Sequence, residues 1–252
     1  IALSGFLNIG SEVIAMSAVA LGTSLPEVLV TVSAVRRGNA ELAVGNIIGS
    51  NMFNLLGVLG IAIATVILPA LSRQHANASR EDFNRTLDWA LKLVILIALP
   101  ACIGLLLLAS PILATLFQHG DFTANDSYMA SLSLMAYMLG LPAFILIKVL
   151  APRYYSRQDT KTPVKIAIIA MISIMALNIL FVVPMVMLHY EAPHVGLALA
   201  TSASGYINAI LLYRGLRNTG VYQPLAGWGG LLGKMLLDCT GMAAVVLYLT
   251  PG

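Results

Sequence analysis

Charge is what this 252-residue chain has least of: Asp, Glu, Lys and Arg together make up 10% of it, against 59% hydrophobic residues. Soluble domains carry about 25% charged residues, so an ordinary water-soluble globule is excluded. Too little polar surface is available to cover a compact body in water, and a mean hydropathy of +0.88 makes lipid the solvent over most of the area. Cysteine is nearly absent; Cys102 and Cys239 sit inside apolar runs, where a thiol behaves as a small hydrophobe, and they carry no redox information. No block of like charge stands out among the 14 Lys and Arg, which argues against a nucleic-acid partner. The four His residues have no metal spacing, and no nucleophile–base pair or phosphate loop is present, so the chain is expected not to be an enzyme. Its first residues lack the basic start and short apolar core of a signal peptide, and the chain reads as a piece of something longer.

What is present is a series of long apolar runs. A helix needs about 20 largely apolar residues to cross about 30 Å of hydrocarbon. Seven segments qualify, at 12–35, 43–72, 93–117, 128–150, 166–188, 196–213 and 231–249. The backbone must satisfy its own hydrogen bonds in lipid, and nothing alternates like barrel strands, so the expected fold is an all-α, polytopic helix bundle of about seven spans.

Lys and Arg set its orientation. Arg73, Arg80, Arg85 and Lys92 fall in one connection, Lys148, Arg153, Arg157, Lys161 and Lys165 in another, Arg214 and Arg217 in a third. The connections between them, 119–127 and 189–194, contain Asp121, Asp126 and Glu191 and no Lys or Arg. The basic set is predicted to be cytoplasmic. Arg36 and Arg37 then fall on the wrong side, and the span 43–72, about 45 Å long as one helix, is too long for one crossing. Segment 73–92 has capping-box spacing at Ser79 and Asp82, with Phe83, Leu87 and Leu91 at intervals of four and Trp89 nearby. It reads as an interfacial helix or a plain loop helix.

The run Gly22-Thr23-Ser24-Leu25-Pro26-Glu27 places a helix breaker, two hydroxyls and a carboxylate inside an apolar stretch. Interrupted helices at membrane depth line cavities, and such oxygens suit a hard cation. The next span carries Asn46, Ser50 and Asn54 on one face, Asn51 beside it, and Gly45 and Gly49 as a close-packing pair. Helix packing with polar glue accounts for these residues equally well. GTSLPE followed by GNIIGSNMFN resembles one α-repeat of the sodium/calcium exchanger (cation/Ca2+ antiporter) superfamily over about residues 5–58. That resemblance implies a cation site with Glu27 as metal ligand, assisted by Thr23, Ser24, Ser50 and Asn51, and a coupling ion of Na+ or Ca2+. Such exchangers use two inverted repeats, and residues 60–252 contain no second GTS-type motif.

From about Gly57 a different likeness takes over. GVLGIAIATVILPALSR, FNRTLDWALKL, LFQHGDFTANDS and KVLAPRYYSRQDTKTPVKIAI resemble the C-terminal part of the MurJ/MviN lipid II flippase family, over about residues 57–252. The resemblance implies a multi-pass protein of the bacterial plasma (inner) membrane, serving peptidoglycan and cell-wall biosynthesis. Its expected partners are a lipid-linked peptidoglycan precursor and membrane lipids. It also implies that the arginine-lined substrate cavity lies outside this chain. Pro152 to Pro163 reads as a stiff cytoplasmic elbow, with Arg153, Arg157, Lys161 and Lys165 around Asp159 able to meet an anionic headgroup, or to serve only as topogenic charge. Lys234 and Asp238 are four apart and able to pair on one face, or Lys234 snorkels to the membrane edge. Two regions are therefore expected: 1–56, exchanger-like, and 57–252, flippase-like, joined near Leu55–Ala62 as in a chimera. The expected function is a partial flippase, with cation antiport centred on Glu27, or a membrane fragment without transport, as the competing readings.

Overall fold

The computed structural model describes residues 80–119, 122–155 and 159–250, with Arg157 and scattered positions between 31 and 48. Five helices long and apolar enough to cross a membrane lie in this region: α1 (Arg80–Phe117), α2 (Ala124–Tyr155), α3 (Lys161–Met187), α4 (Val195–Asn218) and α5 (Trp228–Leu249). They cover the five predicted spans from residue 93 onward. The predicted spans 12–35 and 43–72 lie largely outside the described residues, as does the whole GTSLPE run, with Thr23, Ser24 and Glu27, and with it Ser50 and Asn51.

The helices stand in a row. In space the order is α3, α4, α2, α1, α5, with α4 wedged against α2 and α5 returning to α1. Buried residues on α1 follow helical spacing: Phe83, Leu87, Leu91, Val94, Ala98 and Cys102, then Ala109 and Leu113. The first group packs with Leu141, Ile145, Val149 and Tyr154 of α2 and with Leu212 and Leu216 of α4. The second meets Ala130, Leu134 and Met138 at the opposite end of α2. α1 and α2 are therefore antiparallel, and the start of α1, the α2–α3 connection and the end of α4 share one end of the row. Apart from Arg36 and Lys234, the described Lys and Arg residues fall in or beside these stretches.

Helix contacts follow membrane rules, with small residues and hydroxyls at the seams. Ser202 donates to the Ala136 carbonyl at 2.6 Å, Ser204 to Ala170 at 2.7 Å and Tyr206 to Leu139 at 2.9 Å. A Cβ placed on Gly140 would lie 2.9 Å from the Ser202 Cα, and one on Gly205 would lie 2.8 Å from the Phe144 ring, so neither seam admits a side chain there. Gly45, half of the predicted close-packing pair, meets α2 in the same way: its Cβ would fall 3.3 Å from the Ala130 backbone.

Two expectations change. Residues 80–92 are not a separate interfacial helix; no breaker lies between Arg80 and Phe117 until Pro100, so the helix runs on through 38 residues. Phe83, Leu87 and Leu91 are accordingly buried against protein, and only Trp89 remains exposed. The start of α2 is fixed by a capping box absent from the sequence reading. The Thr123 hydroxyl accepts from the Asp126 N–H at 3.2 Å, and an Asp126 carboxylate oxygen accepts from the Thr123 N–H at 2.7 Å.

Candidate functional site

The basic end of the row is held together by a polar ladder on α1. Asn84, Asp88 and Lys92 recur every four residues and so project from one face toward the connection between α4 and α5. Asn84 and Gln223 exchange two hydrogen bonds, the Asn84 amide donating to the Gln223 carbonyl and the Gln223 N–H to Asn84 Oδ1, each at 2.8 Å. Asp88, only 2% exposed, accepts at Oδ1 from the Tyr222 hydroxyl at 2.9 Å, the Trp228 indole N–H at 2.8 Å and the Leu225 N–H at 3.1 Å. Its other oxygen takes the Lys92 ammonium at 2.7 Å, and Lys92 also donates to the Ala226 carbonyl at 3.2 Å. A buried carboxylate is tolerable only when its lone pairs are used, and these are.

Local sequence delivers the partners. Gly227 adopts φ +99°, a left-handed value that a side chain would disfavour, and from it α5 starts with Trp228 turned back onto α1. Tyr222 packs edge-on against Tyr213, with ring centroids 5.7 Å apart. Burial, reinforced by the hydrogen bond to Asp88, pushes the Tyr222 hydroxyl above its usual range, so the phenol stays protonated and donating.

The predicted elbow residues divide into two kinds. Arg153 is fully buried: its guanidinium donates to the Phe83 carbonyl at 2.9 Å and lies over the Phe83 ring, 3.2 Å from the centroid. It joins α2 to the first turn of α1 and is enclosed by protein, so it does not present itself to a headgroup. Lys161 and Lys165 are exposed one turn apart on α3, and Arg157 is partly exposed beside them. Asp159 is committed locally. It accepts the Thr162 N–H at 3.1 Å, while its own N–H and that of Arg157 both reach the Tyr154 carbonyl at 3.0 Å. The Thr162 hydroxyl and backbone N–H hold the Asp159 carboxyl below the usual carboxylate range. The elbow is thus a folded turn that caps α3 and leaves three cations at its rim.

The elbow stands out in the sequence; the cluster of Asp88, Tyr222 and Trp228 does not. The i, i+4, i+8 spacing of Asn84, Asp88 and Lys92 was a usable signal, but one masked by the apolar series at Phe83, Leu87 and Leu91.

Helices of this length and apolarity, antiparallel and with all their basic connections at one end, define a multi-pass membrane protein. A family model for the lipid II flippase MurJ matches residues 50–252, and the chain belongs to that family. Similar relatives include the probable lipid II flippase MurJ of Vibrio cholerae, 54% identical over 67% of this chain and 31% of the relative, and that of Haemophilus influenzae, 48% identical over 78% and 38%. The lipid II flippase MurJ of Burkholderia cenocepacia is 42% identical over 68% of this chain and 32% of the relative. Among solved structures, a lipid II flippase MurJ in an inward closed conformation matches with TM-score 0.65 and 30% identity, over 85% of this chain and 41% of that one. The chain thus spans about a third of the length of the curated relatives it matches. The family match begins at residue 50 rather than near 57, so Ser50 and Asn51 fall inside it.

Proposed function

We propose that this chain acts as the C-terminal part of a lipid II flippase of the bacterial plasma (inner) membrane. On this reading it moves a lipid-linked peptidoglycan precursor across the bilayer together with the portion that its longer relatives possess. The reading rests chiefly on one observation, the family match across residues 50–252, which the 54% identity to the Vibrio cholerae relative supports. The protein is a transporter rather than an enzyme. The row α3–α4–α2–α1–α5 forms one wall of the path, and the ladder at Asp88 keeps α5 docked while the wall moves. Arg157, Lys161 and Lys165 meet the phosphates of anionic lipid at the cytoplasmic rim, and Arg153 anchors the elbow that carries them. About seven spans in all, with 1–56 and 57–252 as separate regions, complete this picture.

The test is a segment swap. Residues 50–252 replace the matching part of the Vibrio cholerae relative in cells depleted of their own flippase. Growth is the expected result; lysis despite stable membrane insertion of the hybrid overturns the reading.

The motif GTSLPE with GNIIGSNMFN favours a second reading for the first region, cation exchange with Glu27 as the central ligand and Thr23, Ser24, Ser50 and Asn51 around it. It predicts Ca2+ flux into proteoliposomes that is lost in Glu27→Gln. Absence of flux from folded protein removes it.

A further inference from the structure

Beyond the first turns, the described membrane helices contain Pro100 and Pro111 in α1, Pro142 and Pro152 in α2, and Pro184 in α3. A proline has no N–H for the carbonyl four residues back, so Leu96, Leu107, Met138, Lys148 and Leu180 each lose a backbone donor. One of these carbonyls is given a substitute. The Cys102 thiol of α1 donates to Met138 at 3.1 Å, whereas among the described residues no side chain donates to the other four.

The carbonyls beside Met138 are served from the opposite neighbour. Ser202 of α4 donates to Ala136 at 2.6 Å, and the Tyr206 hydroxyl to Leu139 at 2.9 Å. Two helices thus supply side-chain donors to one short stretch of α2, directly ahead of Pro142. Gly140 falls in the same stretch and weakens it further. A rotatable thiol or hydroxyl follows a carbonyl through a change of helix angle, which the fixed backbone donor of a helix cannot do.

The core divides at the same place. On the outer side, Ala130, Leu134 and Met138 of α2 pack with Ala109 and Leu113 of α1. On the basic side, Leu141, Ile145, Val149 and Tyr154 belong to a separate cluster with the first half of α1. The boundary on α2 lies between Met138 and Leu141, where the backbone ladder is weakest, and of the described residues only Leu106 packs against both clusters. Each half of α2 is therefore held to its own half of α1. Between them, the close approach of Gly140 to the Ser202 backbone makes a pivot with no room to slide.

We propose that α2 is a jointed helix. Residues 138–142 form the hinge, latched by Cys102 of α1 and Tyr206 of α4, and the two halves change their angle about it. The joint belongs to the helix row whatever the chain carries. On the flippase reading, it lets this wall bend within itself instead of moving as one body.

Helix tilts in oriented bilayers test this in the full chain, with Cys239→Ala and with Cys102→Ser, which keeps a donor at that position. A bifunctional spin label joins Tyr128→Cys to Leu132→Cys in one sample and Lys148→Cys to Ala151→Cys in another, so each half of α2 reports its own tilt. The two tilts should differ by about 20° or more, and by less than about 10° in Pro142→Ala, which returns an N–H to the Met138 carbonyl. Releasing the latch, with Cys102→Ala and Tyr206→Phe, should change the angle between the halves by about 10° or more while Pro142 is present and leave Pro142→Ala unaffected. Tyr206→Phe alone keeps the ring at an exposed site and gives a smaller change of the same kind where the double variant fails to fold. Equal tilts with Pro142 present, an angle that latch release leaves unchanged, or a change that persists in Pro142→Ala overturns the proposal. No transport enters the measurement, so a failed segment swap with jointed tilts discards the flippase reading and retains the hinge.

Discussion

Asp88 of α1 and Trp228 of α5 are 140 residues apart and joined by a 2.8 Å hydrogen bond from the indole N–H to the carboxylate. That contact, with Tyr222, Leu225 and Lys92 on the same side chain, fastens the last described helix to the first. Of the α5 residues only Met235 and Cys239 are buried, so the position of this helix depends on its basic end.

Asp88→Leu is therefore expected to cost about 3 kcal/mol, because it leaves the Lys92 ammonium and two aromatic donors without their acceptor. Unfolding in a detergent titration measures this, with Trp228 fluorescence shifting to the red as the loop opens. The double variant Asp88→Leu/Lys92→Met should recover part of the loss. A double variant no more stable than Asp88→Leu contradicts the account of the pair.

Tyr222→Phe removes one donor from that carboxylate and should cost about 1 kcal/mol. The pH response follows from the raised phenol: its stabilisation is complete below the unfolded value of about 10 and declines as pH rises above it. Alkaline unfolding of the wild type should be steeper than that of Tyr222→Phe. Superimposable alkaline curves would show that the phenol is not desolvated.

How much of this was legible is clearest along α1 and α2. Apolar run length and the alternation of basic with non-basic connections located the five helices, because in lipid hydrophobic length and Lys/Arg placement act locally. Helix ends were read too short: Leu93 is preceded by three helical turns that carry charge outside the apolar core. Arg153 looked no different from Arg157 in sequence, and only the packing of α2 onto Phe83 buries one and leaves the other at the rim. The Asp88 cluster combines α1 with a connection more than 130 residues away, so no window of sequence contains it. The two tryptophans make the same point: Trp89 is next to Asp88 in sequence but stands exposed, whereas the indole that reaches Asp88 is that of Trp228.

The α2–α4 seam should be intolerant of a single methyl group. Gly140→Ala places a Cβ against the Ser202 backbone, at a cost of about 1–3 kcal/mol. The nearest atoms to a Cβ on Gly205 are all of the Phe144 ring, so Phe144→Leu should rescue Gly205→Ala and leave Gly140→Ala, which also meets the Ser202 backbone, less improved. Thermal stability in detergent measures both, and rescue of the two glycine variants to the same degree would refute the assigned contacts.

Acid should loosen the elbow first. The Asp159 carboxyl has a folded value below the unfolded one, so its capping contribution is present above about pH 4 and is lost as pH falls through the lower folded value. Protection of the Thr162 amide, taken relative to the intrinsic exchange rate at each pH, should fall in that window in the wild type. In Asp159→Ala it should be low at every pH; a protected Thr162 amide in that variant would show that another group caps α3.

On the proposed reading, residues 50–252 form part of the machinery that carries a lipid-linked precursor across the membrane. The most direct measurement is the rate at which lipid II appears on the outer face of spheroplasts whose only flippase is the Vibrio cholerae relative containing this segment. Exposure at a rate close to that of the unmodified relative is the result expected. Precursor retained on the inner face, with the hybrid present and folded in the membrane, would contradict it.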